Sequence, residues 1–393
     1  MQTYRFIRQA LTLVWIGIAL AAPARAQSIG SGLFDLLTQQ TPPPEGYARD
    51  HAAAAATFAT VASLLTVELS HLPTASSSGG FVYLFSPDFG TVDRASDSFG
   101  PFFSERALRN GRGHLSVGLG FQVVRFTTLQ GADLTAGTFP TNTARFGGQL
   151  LPFSVDTLSL TLDQDTATAF ATYGVANRLD VGVTVPLISL RFSGRRVNTF
   201  NGISTLQSEQ KGLATGLGDV GANVRLRLTG SNGSGLAVGA DLRVPTGREE
   251  DLLGAGKTAG RFLAIGSWEG GLFAVHANGG FGIGGVSREQ FVGGAVTVAA
   301  TPRLSLVGEL FARRLTDLYT VADVYLPHPV VAGVETMRWL PAKTGVRTAY
   351  AATGFKLNLF GGLLLNAQVL TRLTDTGLKA RFTPSVALDY SFF

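Results

Sequence analysis

Cysteine is absent from all 393 residues. Its absence excludes disulfides, thiolate metal sites and the modified cysteine of a lipoprotein. Charge is scarce as well. Asp, Glu, Lys and Arg make up 15% of the chain, where about 25% is usual for a soluble domain. After residue 26 there is also no apolar run of about 18 residues that would mark a membrane helix, although mean hydropathy is +0.23. The five histidines, His51, His71, His114, His276 and His328, show no H-E-x-x-H spacing. No G-x-S-x-G elbow and no Asp-rich calcium loop occurs. Glycine-rich runs such as Gly279–Gly285 open no helix and are not phosphate loops. No metal or cofactor is therefore expected, and no catalytic residue. The formal charge of +5 includes Arg5, Arg8 and Arg25 at the start of the chain. Without a basic tail or a basic-aromatic cluster, nucleic acid is not a partner.

What the chain has is apolar residues distributed by alternation. Gly numbers 49, and period-2 patterns recur from Arg112 to Phe393. That is how a transmembrane antiparallel up-and-down β-barrel is encoded. Twelve candidate strands start near His114, Phe153, Leu179, Leu217, Leu236, Gly260, Leu272, Gln290, Leu304, Thr348, Gly362 and Arg381; a count of fourteen is the alternative. Connections after the first, third, fifth and ninth are long: Thr127–Pro152, Arg191–Gly216, Pro245–Ala259 and Leu315–Arg347. Those after even strands are tight: Ala176–Arg178, Ser231–Ser234, Glu269–Gly271, Thr301–Arg303 and Phe360–Gly362. Short periplasmic turns and longer outside loops have this rhythm, which with an even strand number predicts that both termini are periplasmic.

The two ends of the chain agree. Arg5 and Arg8 precede an apolar run to about Ala22, and Ala24-Arg25-Ala26 offers a cleavage site, so residues 1–26 read as a secretory signal peptide. At the other end Phe382, Val386, Leu388, Tyr390 and Phe392 share one face of a strand, while Arg381, Thr383, Ser385, Ala387 and Asp389 share the other. Tyr390, Phe392 and Phe393 resemble the closing-strand signal of bacterial outer-membrane barrels, which implies the barrel-assembly machinery and outer-membrane lipid as partners. Phe393 stands one residue out of phase.

Residues 27–111 do not alternate. Thr41–Gly46 is a linker. Asp50 caps an expected helix of about 20 residues, with Phe58, Val61, Leu65 and Leu69 at helical spacing. Asp88-Phe89-Gly90 turns a short hairpin. This segment either plugs the barrel or lies in the periplasm as a cap or extra strands, with residues 112–393 as the barrel.

Tyr173–Pro186 and Gly216-Leu217-Gly218-Asp219-Val220 resemble a family of outer-membrane barrels associated with the meta-pathway of phenol degradation and described as transporters. The resemblance covers the barrel and implies passage of small hydrophobic or aromatic molecules. It brings no catalytic residues.

Strand parity supplies the candidate lumen. Val220, Ala222, Val224, Leu226 and Leu228 face lipid, so Asp219, Asn223, Arg225 and Arg227 face inward; Asp241 and Arg243 follow, opposite Leu236, Val238, Leu242 and Val244. His276, Asn278, Glu309, Arg313, Lys356, Asn358, Asn366, Gln368 and Arg372 complete the inward set. Basic residues exceed acidic ones in it, which favours anions. These groups either pair among themselves to fill a small barrel or line a permeation path. In the second strand the apolar parity changes between Leu158-x-Leu160-x-Leu162 and Ala167-x-Ala169-x-Ala171, which predicts a bulge near Asp163–Asp165 or a strand continuing beyond the membrane. The alternatives to a channel are a structural or adhesive barrel and, from His276 and Asn278, a membrane-embedded lipid hydrolase.

Overall fold

Side-chain alternation and Gly-rich turns yield strands along most of the predicted barrel. The computed structural model describes residues 28–42, 47–73, 80, 83–86, 91–94, 96–230 and 233–392, with 83–86 and 91–94 as backbone. The signal peptide, the tip Asp88–Gly90 and Phe393 lie outside the described residues. The strands are β1 Leu115–Leu129, β2 Ser154–Ala176, β3 Leu179–Phe200, β4 in two runs (Ile203–Leu217 and Val220–Thr229), β5 Gly235–Val244 and β6 Ala259–Gly270. They continue as β7 Phe273–Gly284, β8 Glu289–Thr301, β9 Leu304–Pro327, β10 Val334–Phe360, β11 Leu363–Arg372 and β12 Thr383–Phe392. Each pairs antiparallel with the next, and β12 returns to β1 from Ser385↔Gln122 to Phe392↔Leu115. The result is a closed twelve-stranded barrel.

Strand starts match expectation to within a few residues except at β10, expected near Thr348, and at the upper run of β4. Two of the stretches expected as long loops are instead mainly β-structure, and a third is β-structure over half its length. Arg191–Gly216 is a hairpin turned by Asn201-Gly202, both at positive φ (46° and 83°), a conformation that Asn-Gly adopts readily. Leu315–Arg347 contains the upper parts of β9 and β10. Thr127–Pro152 contains a strand at Phe139–Phe146 that bridges β2 and β10. These segments form a tall wall at one rim. Only Pro245–Ala259 is an irregular link, with one short turn of 3-10 helix at Glu249–Asp251.

The parity change in β2 now has a cause. No bulge occurs at Asp163–Asp165, because β2 keeps unbroken register there with both β1 and β3. Its even-numbered residues point inward throughout. Below the change the interior is polar (Gln164, Thr166, Thr172) and the exterior apolar (Ala167, Ala169, Tyr173); above it Leu158, Leu160 and Leu162 are buried inside while Ser159, Thr161 and Asp163 face out. β3 does the same, with Asp180 inside and Val181, Val183 and Leu187 outside, then Leu190 and Phe192 inside and Arg191 and Arg195 outside. At the crossover Asp165 pairs with Arg125 at 2.7 Å and with Arg191 at 2.8 Å. The strand has left the apolar band, and its outer face turns from hydrocarbon to water.

That band is continuous around the barrel. Leu236, Val238, Leu242 and Val244 on β5 are exposed, as are Val386, Leu388, Tyr390 and Phe392 on β12. Exposed Tyr173, Trp268, Phe273, Phe360 and Phe392 ring the short-turn rim, and Phe262, Phe281 and Phe382 stand higher. Such aromatic girdles mark the two membrane interfaces of a barrel. Phe392 stacks edge-on to Tyr390 at 4.6 Å. Replacing Phe392 by Ala should lower the fraction of barrel with heat-modifiable gel mobility. Phe393→Ala should lower it less; equal yields for both variants and wild type would place the assembly signal elsewhere.

Two helices occupy the concave side of the wall. α1 is Ile29–Thr38, capped by Ser28, and α2 is His51–Ser70, capped by Asp50 through the Ala53 amide at 2.9 Å. α2 is apolar around much of its circumference, as suits a helix enclosed on most sides. The Thr60 hydroxyl donates to the Trp339 carbonyl (2.8 Å) and the Tyr319 hydroxyl to the Thr60 carbonyl (2.7 Å). Leu33, Leu36, Val61, Leu64 and Leu65 form one core with Leu160, Phe192 and Trp339 of the wall. α2 then descends into the barrel. Gly80 lies near Leu364 at the short-turn rim, and residues 96–111 arch through the lower lumen before β1 begins. Ile29 bonds Asp251 at the tall rim, whereas Phe392 pairs with Leu115 at the opposite one.

Candidate functional site

The strand residues assigned inward by parity project to the interior, and six of them, Arg225, Arg243, Asn278, Glu309, Lys356 and Arg372, bond the N-terminal segment. Glu309 accepts the amides of Phe102, Phe103 (3.1 Å) and Ser104 (2.9 Å). Lys356 donates to the carbonyl of Pro101 at 2.6 Å and to that of Phe99 at 3.4 Å. Asn278 brackets Glu105, donating to its carbonyl at 2.9 Å and accepting its amide at 2.5 Å. Arg225 joins Glu105 (3.2 Å) to Asp241 (2.5 Å), and Arg261 completes that group on Asp241 at 2.7 Å. At the end of the arch Asp180 receives the Asn110 amide at 3.1 Å, with Arg109 3.9 Å away.

Higher in the lumen, Arg372 makes a two-pronged pair with Glu68 of α2 at 2.8 and 3.0 Å and also donates to the carbonyls of Leu378 and Thr376. Arg243 donates to the carbonyl of Ser70 at 2.6 Å. Arg313 lies 3.8 Å from Glu289 and 5.0 Å from the Tyr350 ring centroid. Asn366 donates to Asp389 at 2.6 Å. Gln368 is buried beside them, and Asn358 sits lower on β10. Two positions are tied to the rims as well, although Asp219 also borders a cavity of the lumen. Asp219 stands between the two runs of β4 and accepts the amides of Gly247 (3.1 Å) and Ala255 (2.8 Å), so it pins the β5–β6 link. Arg227 folds onto the carbonyls of Ser234 and Thr229 at the short-turn rim. The N-terminal segment brings Glu105 and Glu68 to Arg225 and Arg372, and it also buries Arg106 and Arg109 in the lumen.

Buried carboxylates holding backbone amides are charge-assisted bonds, roughly 1.5–3 kcal/mol each. Glu309→Gln should therefore speed amide exchange at Phe102, Phe103 and Ser104 by about ten- to a hundredfold while the ladders of β9 and β10 stay protected. Unchanged exchange at those three amides would show that the arch is held elsewhere.

The arch and the end of α2 leave a chamber between them. One cavity of about 160 Å³ is lined by Leu69, Ile188, Asn223 and Leu253; a second of about 170 Å³ is lined by His71, Leu263, Phe291 and Phe311. Leu72, Phe103, Asp241, Arg243 and Arg261 line both.

His276 and Asn278 lie beneath the arch. His276 is fully buried and bonds Ser267 at 2.9 Å, yet that hydroxyl also accepts the Ala107 amide at 2.8 Å, beneath the arch. The pair faces the lumen, away from any acyl chain. Among the described residues no group of three His, Asp or Glu could hold a metal ion.

Parity would also have found Asp180, Ser267 and Asp389, which alternate with outward apolar neighbours. Glu105 and Arg109 lie in the non-alternating segment, where no periodic signal marks an inward face; Glu68 shares the helical face of Val61 and Leu65, three residues beyond Leu65.

No family model matches the chain, and no curated protein does. Among solved structures, it is similar to an outer-membrane channel from Pseudomonas putida F1, at 14% identity over 73% of this chain and 98% of that one, with a TM-score of 0.46. It is also similar to the translocator domain of the autotransporter NalP from Neisseria meningitidis (11% identity, 72% and 90% covered, TM-score 0.34) and to a toluene transporter from Ralstonia pickettii (10%, 72% and 90%, TM-score 0.26).

Proposed function

We propose that this chain is a bacterial outer-membrane channel for passive passage of small, largely apolar molecules, kept narrow by its own N-terminal segment. The observation that carries this reading is the chamber between α2 and the arch. A filled structural barrel has no use for two cavities at mid-lumen, where apolar side chains such as Leu72, Phe103 and Phe291 share the lining about evenly with polar and charged ones such as Asp241, Arg243 and Arg261. An apolar cavity of about 150 Å³ accommodates benzene, so each cavity is of a size for one aromatic ring. The resemblance to barrels of phenol degradation points to the same class. In this reading the tall wall faces outside, the short turns face the periplasm, residues 27–111 act as the plug, and the inward side chains hold the plug or border the path. The barrel-assembly machinery and outer-membrane lipid are the implied partners.

Uptake of toluene and benzyl alcohol into liposomes holding the full chain tests the proposal. Faster entry than into protein-free liposomes is expected. Equal entry for both solutes, with no effect of losing the protein on aromatic uptake by cells, would leave a structural or adhesive barrel instead.

A further inference from the structure

The charged groups around the chamber are matched, with one exception among the basic ones. Glu105 and Asp241 are shared by Arg225 and Arg261, and Glu289 lies beside Arg313. Asp219 is held by backbone amides. Arg243 borders both cavities; among the described residues no carboxylate pairs with it directly, and Asp219 and Glu289 act on it only from farther off. One of its five N–H donors is used by the Ser70 carbonyl. A guanidinium is always charged and presents a planar fork suited to a carboxylate. Within reach of the same space stand the apolar side chains Leu72 and Phe103, with Phe291 and Phe311 on the β8–β9 side. Phe103 packs on Phe311 at 5.5 Å.

We infer that Arg243 recognises the carboxylate of a small organic acid whose apolar body lies against Phe103 and Leu72. This deepens the channel reading and rests on it. A neutral solute would cross the chamber on its apolar wall alone. An acid gains a charge-assisted pair in the chamber between the end of α2 and the arch. The matched acids elsewhere in the chamber leave nothing equivalent for an organic cation.

The test uses full-length protein in liposomes at neutral pH with three probes of one size: benzoate, benzyl alcohol and benzylamine. Wild type should admit benzoate faster than benzylamine. Arg243→Gln should slow benzoate by about ten- to a hundredfold, the loss of one charged hydrogen-bonded contact, while benzyl alcohol is unchanged, and Arg243→Lys should restore part of the rate. If Arg243→Gln alters all three probes alike, Arg243 only anchors α2 and the inference is wrong. If wild type passes benzyl alcohol but excludes benzoate, the inference is wrong and the channel stands. If no probe enters, the channel reading falls and this inference falls with it. Heat-modifiable mobility reports whether the variant folds; should it not, the wild-type order of the three probes still decides.

Discussion

A chain lacking residues 27–111 but retaining residues 1–26 should conduct as an open, weakly anion-selective pore, whereas the full chain should show low conductance. The barrel wall does not depend on the deleted segment for closure, because β12 pairs with β1 over eight residues of register and every other seam is strand to strand. What leaves is the arch, its carbonyls on Lys356, its amides on Glu309, and both helices. The charges left behind become hydrated, which removes the burial penalty they carry in the filled lumen. Residues 27–111 carry eight acidic and four basic residues, so although Arg106 and Arg109 leave along with Glu68 and Glu105, the remaining barrel is more basic; Arg372 loses its partner and Arg225 keeps only Asp241. Planar-bilayer recording measures both effects, and the reversal potential in a salt gradient gives the sign of selectivity. Low conductance in both forms would mean that strand side chains close the lumen unaided, and the plug reading would be lost. Cation selectivity of the open form would contradict the charge count.

The wall was legible in the sequence because a strand exposes its environment at every second residue. β5 shows this plainly: Leu236, Val238, Leu242 and Val244 could face only lipid, which left Asp241 and Arg243 inside. Parity says which face a residue takes but not what it meets there. Glu309 and Lys356 were rightly placed inward, yet their partners are main-chain groups of residues 99–104, a stretch with no periodicity to read. The same limit explains the tall rim. Leu158, Leu160 and Leu162 look out of phase only if the interior is taken as polar throughout. Once α1 and α2 fill the upper interior, apolar residues belong inside and Asp163 and Asp165 outside. The apparent phase break is the level at which the strand leaves the membrane. The hairpins above it were taken for loops because their outward faces are polar, as a water-exposed strand's must be.

Glu68→Gln should release the deep end of α2 without disturbing the barrel. Glu68 and Arg372 are both nearly excluded from solvent, and the carboxylate meets the guanidinium through two bonds while accepting the Leu378 amide at 3.2 Å. Removing one member of such a buried pair costs about 3–5 kcal/mol, chiefly because the remaining charge stays unpaired. Here that cost can be avoided by movement. α2 belongs to no ladder, so its lower turns can lift and let water reach Arg372, whereas β11 is fixed between β10 and β12. The strain therefore falls on the plug. Proteolysis around Leu69–Pro73 should rise, conductance should show brief openings absent from wild type, and heat-modifiable mobility should stay unchanged. Adding Arg372→Met, which removes the orphaned charge and retains much of the bulk, should restore most of the protection. Full protection of Leu69–Pro73 in Glu68→Gln would show that the wall contacts at Thr57 and Thr60, and the bond from Arg243 to Ser70, hold α2 without the ion pair.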